Sequence, residues 1–552
     1  MDGVQHYSKN DRLNKLLDRV VKEVRLFAEG QIRRVDRLAQ VGIALSAEKD
    51  IARLLEKIVD EAMGLTHADA GTLYTVDEEH QRLRFEIMKN ISMDIHLGGS
   101  SGKEVALPPV PLFKDDSPNY TNVSSFVGLT GEIVNIPDVY DVDKFDFTGP
   151  RKYDSQTGYR TRSMLVIPMK NHENDIIGVL QLLNAIDPAS GQPTVFAEEY
   201  VDLCAALASQ AAIALENVKL IADLKELFEA LIKVIATAID EKSPYTAGHI
   251  TRVTDLTMMI ARTINETGEG PFSAVNFSRD ELEELRIAAW MHDVGKITTP
   301  EHVIDKSHKL QTVFDRIELV STRFQLIRQV AENEFLQLRL DAAENPGANL
   351  KKAEVRHRDR LAQIDEDLAF LVSINTGREF LDDASLERLT EIAARTYSVG
   401  GKTYPYLTEN ELQNLSVRRG TLTPQERKVI ENHALVSIKI LKQLPFPKKM
   451  SRVPEYAGGH HEKLDGSGYP FGLTAEQLPL QARIMALADI FEALTAHDRP
   501  YKKPMKLSRA VQILASMCEQ NHIDKEIFDL FVAKGLHLDY ARKELDEDQM
   551  DL

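Results

Sequence analysis

The spacing of apolar residues changes several times along this chain, and the changes divide it into segments. From about residue 10 to 62, Leu13, Leu16, Leu17, Val20, Val21 and Val24 recur among charges at helical intervals, which predicts amphipathic helix. Between about 68 and 185 the pattern shortens to alternating runs such as AGTLYTV, RLRFEIM, GEIVNI, SMLVIPM and DIIGVLQLLN, separated by turn residues. That texture predicts an antiparallel sheet with flanking helices, an α+β domain. From Glu199 to Ile239 no proline or glycine interrupts the chain, and Leu220, Leu224, Leu227, Leu231, Val234 and Ala238 alternate intervals of four and three. This is the seam of a two-stranded coiled coil, and a single core helix gives a similar pattern. Helical spacing then continues toward the C-terminus. Over 309–420 it takes the form of long charged segments broken at Asn345, Pro346 and Gly347, read as an inserted helical hairpin.

At 552 residues the chain is too long for one ordinary core, so two or three domains are expected. With 43% hydrophobic and 28% charged residues its composition is that of soluble globular protein. No run of about 18 apolar residues and no apolar leader at MDGVQHYSKNDRLNKLL supports a membrane span or secretion, so a cytoplasmic protein is expected. Cys204 and Cys518 are too few for a disulfide framework and read as small buried hydrophobes. The net charge of −18 argues against nucleic-acid or acidic-membrane partners. An anionic substrate would need local cations or bound metal.

Candidate chemistry lies in the C-terminal half. The stretch GGHHEKLDGSGYPFGL, Gly458 to Leu473, sets His460 and His461 ahead of a glycine-rich turn, which suits either a metal site or a polar surface loop. IAAWMHDVGKITTP delivers His292 and Asp293 side by side, a nitrogen and an anionic oxygen able to bridge two cations. Lys296 follows on the same face, placed to hold a phosphate oxygen, to protonate a leaving oxygen, or only to neutralise Asp293. Thr421 or Thr423 caps a helix carrying His433, and QARIMALADIFEALT presents Asp489 ahead of a basic stretch with Arg499, Lys502 and Lys503. His249 lies on a helix with Arg252 close behind; His302, His308 and His357 have no partner pattern and are left to solvent.

Two resemblances follow from these residues. Ile136 to Ala185, with TGYRT, SMLVIPM and IIGVLQLLN in order, resembles a GAF domain over roughly 40–218, similar to those that bind cyclic nucleotides. Where such domains carry Asn-Lys, here Asn184 precedes Ala185, and Tyr200 and Val201 stand four and five residues after Phe196 in place of Asp-Glu. The ligand is therefore left open between a cyclic nucleotide, another small molecule and a purely dimerising role. The ordered set His249, His292–Asp293, Lys296, His433, His460–His461, the Gly-Tyr-Pro loop, Asp489 and Arg499 to Lys502 resembles the HD-GYP phosphodiesterases of the HD superfamily over about 230–545.

That resemblance implies an all-α bundle holding two divalent ions, with Fe or Mn suiting the imidazole-rich set. His249, His292, Asp293 and Asp489 match the ligands of one ion, and His433, His460 and His461 those of the second, with Asp293 bridging. Tyr245 stands where some members have the glutamate of a third ion, so two are expected; Ala434 replaces a usual proline after His433. Asp293 and Lys296 are the implied catalytic residues. Lys296, Asp465, Gly466, Gly468, Tyr469, Arg499 and Lys502 are the implied substrate-binding set, and the family's substrate is cyclic di-GMP, opened to pGpG or cut further to GMP. The expected architecture is a helical segment at 1–39, the α+β GAF domain at 40–218, a connecting coiled helix at 219–240 through which a homodimer forms, an HD-GYP domain at 241–545 with the 309–420 insertion, and an acidic tail at 546–552. The competing readings are an HD-type hydrolase of another nucleotide and a non-catalytic receptor.

Overall fold

The computed structural model describes residues 10–242, 248–344, 350–496 and 504–552. The chain forms two compact units that divide between Leu227 and Phe228.

The first unit opens with helix Asp11–Ser46, capped by the Asn10 side chain, and helix Ile51–Thr66, capped by Asp50 and closed by His67 at a left-handed φ of 52°. An eight-stranded antiparallel sheet follows. Its six main strands run in the order Ile95–Gly98, Arg82–Asn90, Ala68–Asp77, Ile176–Ile186, Met164–Lys170, Val134–Ile136. The period-two rule sorts its residues onto two faces. Leu73, Leu180 and Ile167 stand in register across three strands and join the core built with Ile51–Thr66 and with Cys204, Leu207 and Ala211 of helix Glu198–Asp240. Tyr74, Val166 and Val179 point the other way, into a core closed by Val127, Phe145 and Phe147. Burial on both faces explains why MLVIPM is apolar without alternation.

Helix Glu198–Asp240 is 43 residues long and, by length and composition alone, apolar enough to cross a membrane, contrary to the expectation that no such segment exists. Core helices of soluble proteins meet the same test. Its start serves the sheet core, its end supplies Ile232, Ala236 and Ile239 to the core of the second unit, and the seam positions Leu220, Leu224, Leu227, Leu231 and Val234 are 54–67% exposed.

The second unit is a helical bundle around Val253, Leu256, Leu285, Ile484, Phe491 and Phe531. One expectation needs correction. The insertion is more than a hairpin: helices Ile317–Glu344 and Leu350–Asn375 are joined by helices Asp383–Ala393 and Glu409–Leu415 and by a β-hairpin, Thr396–Val399 with Lys402–Pro405. Together they bury their own core of Val320, Phe324, Ile327, Leu371, Leu389 and Leu415. The acidic C-terminal tail packs on the bundle: Gln549 is 2% exposed and its amide donates to the carbonyls of Thr495 and Met505.

Candidate metal centre

Local devices bring the polar residues of the second unit together. Helix Arg279–Met291 begins at a Ser278/Glu281 capping box and gives way to His292, Asp293 and the 3-10 turn Val294–Thr298. Helix Pro424–Leu441 begins at a Thr423/Glu426 box and carries His433. The two backbones touch. Gly295 N–H donates to Ser437 Oγ at 2.9 Å, Ser437 Oγ–H donates to the His292 carbonyl at 2.8 Å, and a Cβ on Gly295 would stand 2.0 Å from the His433 carbonyl oxygen. Only glycine allows that approach. Beyond helix Val453–Gly458, the loop bearing His460 and His461 folds back because the Glu462 carboxylate accepts from the Phe471 and Leu473 amides at 2.7 and 2.9 Å. A Cβ on Gly468 would meet Lys463 N at 2.4 Å, so this position also requires glycine.

The result is a cage. His249, His292, Asp293, His433, His460 and Asp489 are each 9% exposed or less. Asp293 is its centre: Oδ2 lies 3.3 Å from His292 Nε2, 3.6 Å from His249 Nε2 and 2.5 Å from Lys296 Nζ, while Oδ1 lies 3.3 Å from His433 Nε2. Asp489 Oδ1 is 3.3 Å from His249 Nε2. Ligand atoms of His249, His292 and Asp489 lie within 4.8 Å of one another, and so do those of His433, His460 and His461 and those of His292, Asp293 and His460.

Tautomers decide what these distances mean. His292, His433 and His460 each set Nδ1 2.6–2.7 Å from the backbone carbonyl three residues before, of Ala289, Ile430 and Ala457. A carbonyl only accepts, so the proton is on Nδ1 and Nε2 presents a lone pair to the cage. Those three Nε2 atoms and Asp293 Oδ1 are buried without a hydrogen-bond partner. Lone pairs therefore face a carboxylate across about 3.3 Å, an arrangement that repels unless a cation lies between. The donor set, imidazole nitrogens with carboxylate oxygens, fits divalent transition ions.

Electrostatics follow the same lines. Burial disfavours the His249 cation, but the carboxylates of Glu492, Asp293 and Asp489 outweigh it and hold the ring well above its ordinary value. For Asp293, burial is overcome by Lys296 and the neighbouring imidazoles, and the group is held well below the carboxylate range. His461, beside no carboxylate at contact distance, is pushed down to about 4, chiefly by burial. Burial also pushes the Tyr469 hydroxyl up, keeping it a donor.

A cavity of about 230 Å³ opens on the cage and is lined by Lys296, Tyr469, Arg252, Glu492, Ile430 and Ala496 beside His249, His433, His461 and Asp489. Tyr469 packs on His461 with ring centroids 4.8 Å apart. The structure thus gathers all seven residues matched to metal ligands, with Lys296 and Tyr469. Asp465, Gly466 and Gly468 are not among the residues that line this cavity. Asp465 accepts from the Ser467 amide and faces His522, Gly466 takes a φ of 77°, and Gly468 lets the loop pass its own backbone. Arg499, Lys502 and Tyr245 lie outside the described residues. Two functional residues escaped the sequence reading: Glu462, which shapes the loop, and Glu492, fully buried with its carboxylate on His249 Nδ1 at 2.5 Å. In the first unit Asn184, at a left-handed φ of 54°, accepts from the Arg162 amide and donates to Tyr159 and to the Arg160 carbonyl. Its side chain is engaged in folding that loop. Two larger clefts, about 740 Å³ each, border the sheet of this unit beside Ile51–Thr66.

Comparison with known proteins agrees with this division. The GAF domain family matches residues 50–215, and HD domain families match residues 246–365 and 348–527. The chain is 38% identical to a probable cyclic di-GMP phosphodiesterase of Vibrio cholerae serotype O1 over 144 residues, 24% of this chain and 32% of the relative. It is 40% identical to 3'3'-cGAMP-specific phosphodiesterase 1 of the same organism over 113 residues, 20% of this chain and 25% of the relative. To a cyclic di-GMP phosphodiesterase of Thermotoga maritima it is 34% identical over 133 residues, 24% of this chain and 35% of the relative. The chain thus spans about a third or less of the length of these relatives. His249, His292 and Asp293 fall in the first HD match and His433, His460, His461 and Asp489 in the second, so the two matched stretches share one cage. The chain thus carries a GAF domain match ahead of two HD domain matches, and the HD-matched stretches together hold the cage.

Proposed function

We propose that this protein is a metal-dependent cyclic dinucleotide phosphodiesterase, that cyclic di-GMP is its substrate, opened to pGpG or cut further to GMP, and that its GAF domain regulates it through a small ligand. The observation carrying the reading is the set of three buried Nε2 lone pairs turned toward Asp293 without a partner. His249, His292, Asp293 and Asp489 would hold one divalent ion and His433, His460, His461 and Asp293 the other, with Fe or Mn suited to the donors. Bound there, the ions would supply Lewis-acid activation of water and neutralise charge at the phosphoryl group.

The remaining steps belong to the chain's own residues. Lys296 Nζ fixes Asp293 and reaches the cavity, where it can hold a phosphate oxygen and return a proton to the leaving oxygen. Tyr469, kept protonated, can donate to a second phosphate oxygen. Arg499 and Lys502 would add positive charge that the chain's net −18 otherwise lacks. The domains are taken as 40–218 and 241–545, with the connecting helix pairing two copies along Leu220, Leu224, Leu227 and Leu231, in the cytoplasm. A second substrate reading, 3'3'-cGAMP, is favoured by the names of three relatives.

The test is metal analysis of the purified chain followed by product assays on cyclic di-GMP and 3'3'-cGAMP, with Asp293→Ala beside wild type. Two ions per chain and at least about a 10³-fold loss of hydrolysis in the variant are expected. Full activity in Asp293→Ala would sink the proposal, and a preference for 3'3'-cGAMP would replace the substrate.

A further inference from the structure

His249 is held differently from the other cage histidines. His292, His433 and His460 lock Nδ1 on the helical carbonyl three residues before. His249 is the first residue of helix His249–Glu266, with Gly248 as N-cap, so its helix has no carbonyl to offer at that position. The acceptor comes instead from helix Leu480–Thr495: Glu492 Oε2 stands 2.5 Å from His249 Nδ1. Its other oxygen accepts from Arg252 Nε at 2.8 Å and lies 2.7 Å from Arg252 Nη2, and the residue is 0% exposed. Glu492 lies three residues after Asp489 and Arg252 three after His249, so each helix contributes one cage residue and, on the same face, one support for the other helix.

We infer that Glu492 is a positioning residue of the metal centre, one that fixes the ring of His249 and, as a carboxylate acceptor, makes this imidazole a stronger nitrogen donor than its carbonyl-bound neighbours. Arg252 keeps the carboxylate in place. The inference rests on the metal-centre reading above and deepens it: the ion held by the His249, His292 and Asp489 group depends on Glu492, whereas the ion of the His433, His460 and His461 group does not. Acceptors of this kind change metal affinity by about 10–100-fold.

The test titrates the metal-free, full-length chain with Mn²⁺ against a competing chelator and records the thermal midpoint of the metal-free form for wild type, Glu492→Gln and Glu492→Ala. Wild type should take up two ions. Glu492→Ala should keep one at wild-type affinity and bind the other about 10–100-fold more weakly. Glu492→Gln, which keeps an acceptor but not the charge, should fall between. Wild-type affinity for both ions in either variant overturns the inference. So does an equal weakening of both that tracks a lowered thermal midpoint, the signature of a merely structural role. Should Glu492→Ala not fold, Glu492→Gln decides alone. A wild-type chain that takes up no Mn²⁺ overturns the metal-centre reading, and this inference with it.

Discussion

The cage and the 309–420 insertion both bury charged and polar side chains, and they treat them in opposite ways. In the insertion each is answered. Asp367, 1% exposed, accepts from Gln363, Arg388 and Arg395; Glu411 accepts from Arg323 and from the Thr408 amide; Lys309 donates to the Leu415 carbonyl. In the cage, His292, His433 and His460 hold Nε2 without a partner, and Asp293 Oδ1 has none. Among the described residues, half of the buried unpartnered side-chain atoms belong to this one site. A satisfied network fixes a fold, whereas an inward-facing set of acceptors stores an affinity for something absent from the chain. The difference separates architecture from chemistry without reference to any relative.

The largest effect is expected where a satisfied buried charge loses its partner. Arg395→Met removes the 2.5 Å partner of a buried carboxylate and leaves Asp367 with Gln363 and a 3.4 Å contact to Arg388. A loss of about 3–4 kcal/mol is expected, read as a lower urea midpoint for the transition that includes the insertion. The proposed cyclic di-GMP hydrolysis should be unchanged in the folded variant, because among the described residues none from the insertion lines the cavity. Wild-type stability would show that the network contributes nothing.

Lys309 gives a smaller effect with a definite sign. Burial brings its ammonium down from 10.5 to about 8 in the folded protein. Between pH 8 and 10.5 the unfolded chain therefore binds a proton that the folded chain does not, so stability rises with pH through that window, and the cost of burying the charge is fully present below it. Lys309→Met should remove this slope and stabilise the protein at pH 7 by about 2 kcal/mol, the cost of burying the charge less the hydrogen bond lost to the Leu415 carbonyl. Parallel pH profiles for variant and wild type would remove Lys309 from the account.

The same contrast explains what was legible in the sequence. His292–Asp293 and His460–His461 interrupt apolar or glycine-rich stretches where no packing need calls for them, so the cage could be read residue by residue. Glu492 could have been found: it lies in MALADIFEALT, a helix apolar on nearly every face, where a second charge beside Asp489 has no solvent to meet. A glutamate on a helix is so ordinary that it drew no attention. The insertion's hairpin, TYSVGGKTYP, shows period-two alternation about a Gly-Gly turn, but the charged helices on either side dominate the composition. Asp465, Gly466 and Gly468 share a motif with Tyr469 but are not among the residues lining the cavity. Motif membership does not distinguish a residue that shapes a loop from one that touches what the loop faces.

The smallest effect tests the unsatisfied side. His460 is 1% exposed and held well below the ordinary histidine value, chiefly by burial, so without metal it is a neutral ring with an unanswered lone pair. Replacing it by leucine removes that lone pair and keeps an apolar side chain of similar volume, at the cost of the Nδ1 bond to the Ala457 carbonyl. These changes oppose each other, and the metal-free His460→Leu chain should unfold within about 1 kcal/mol of metal-free wild type. In Mn²⁺ the two should separate, because binding stabilises only the form that has the ligand. Thermal midpoints with and without the ion check both halves. A large loss in the metal-free protein would mean that the cage is held together by its own contacts, as the insertion is, and that its unpartnered nitrogens do not mark a site for an ion.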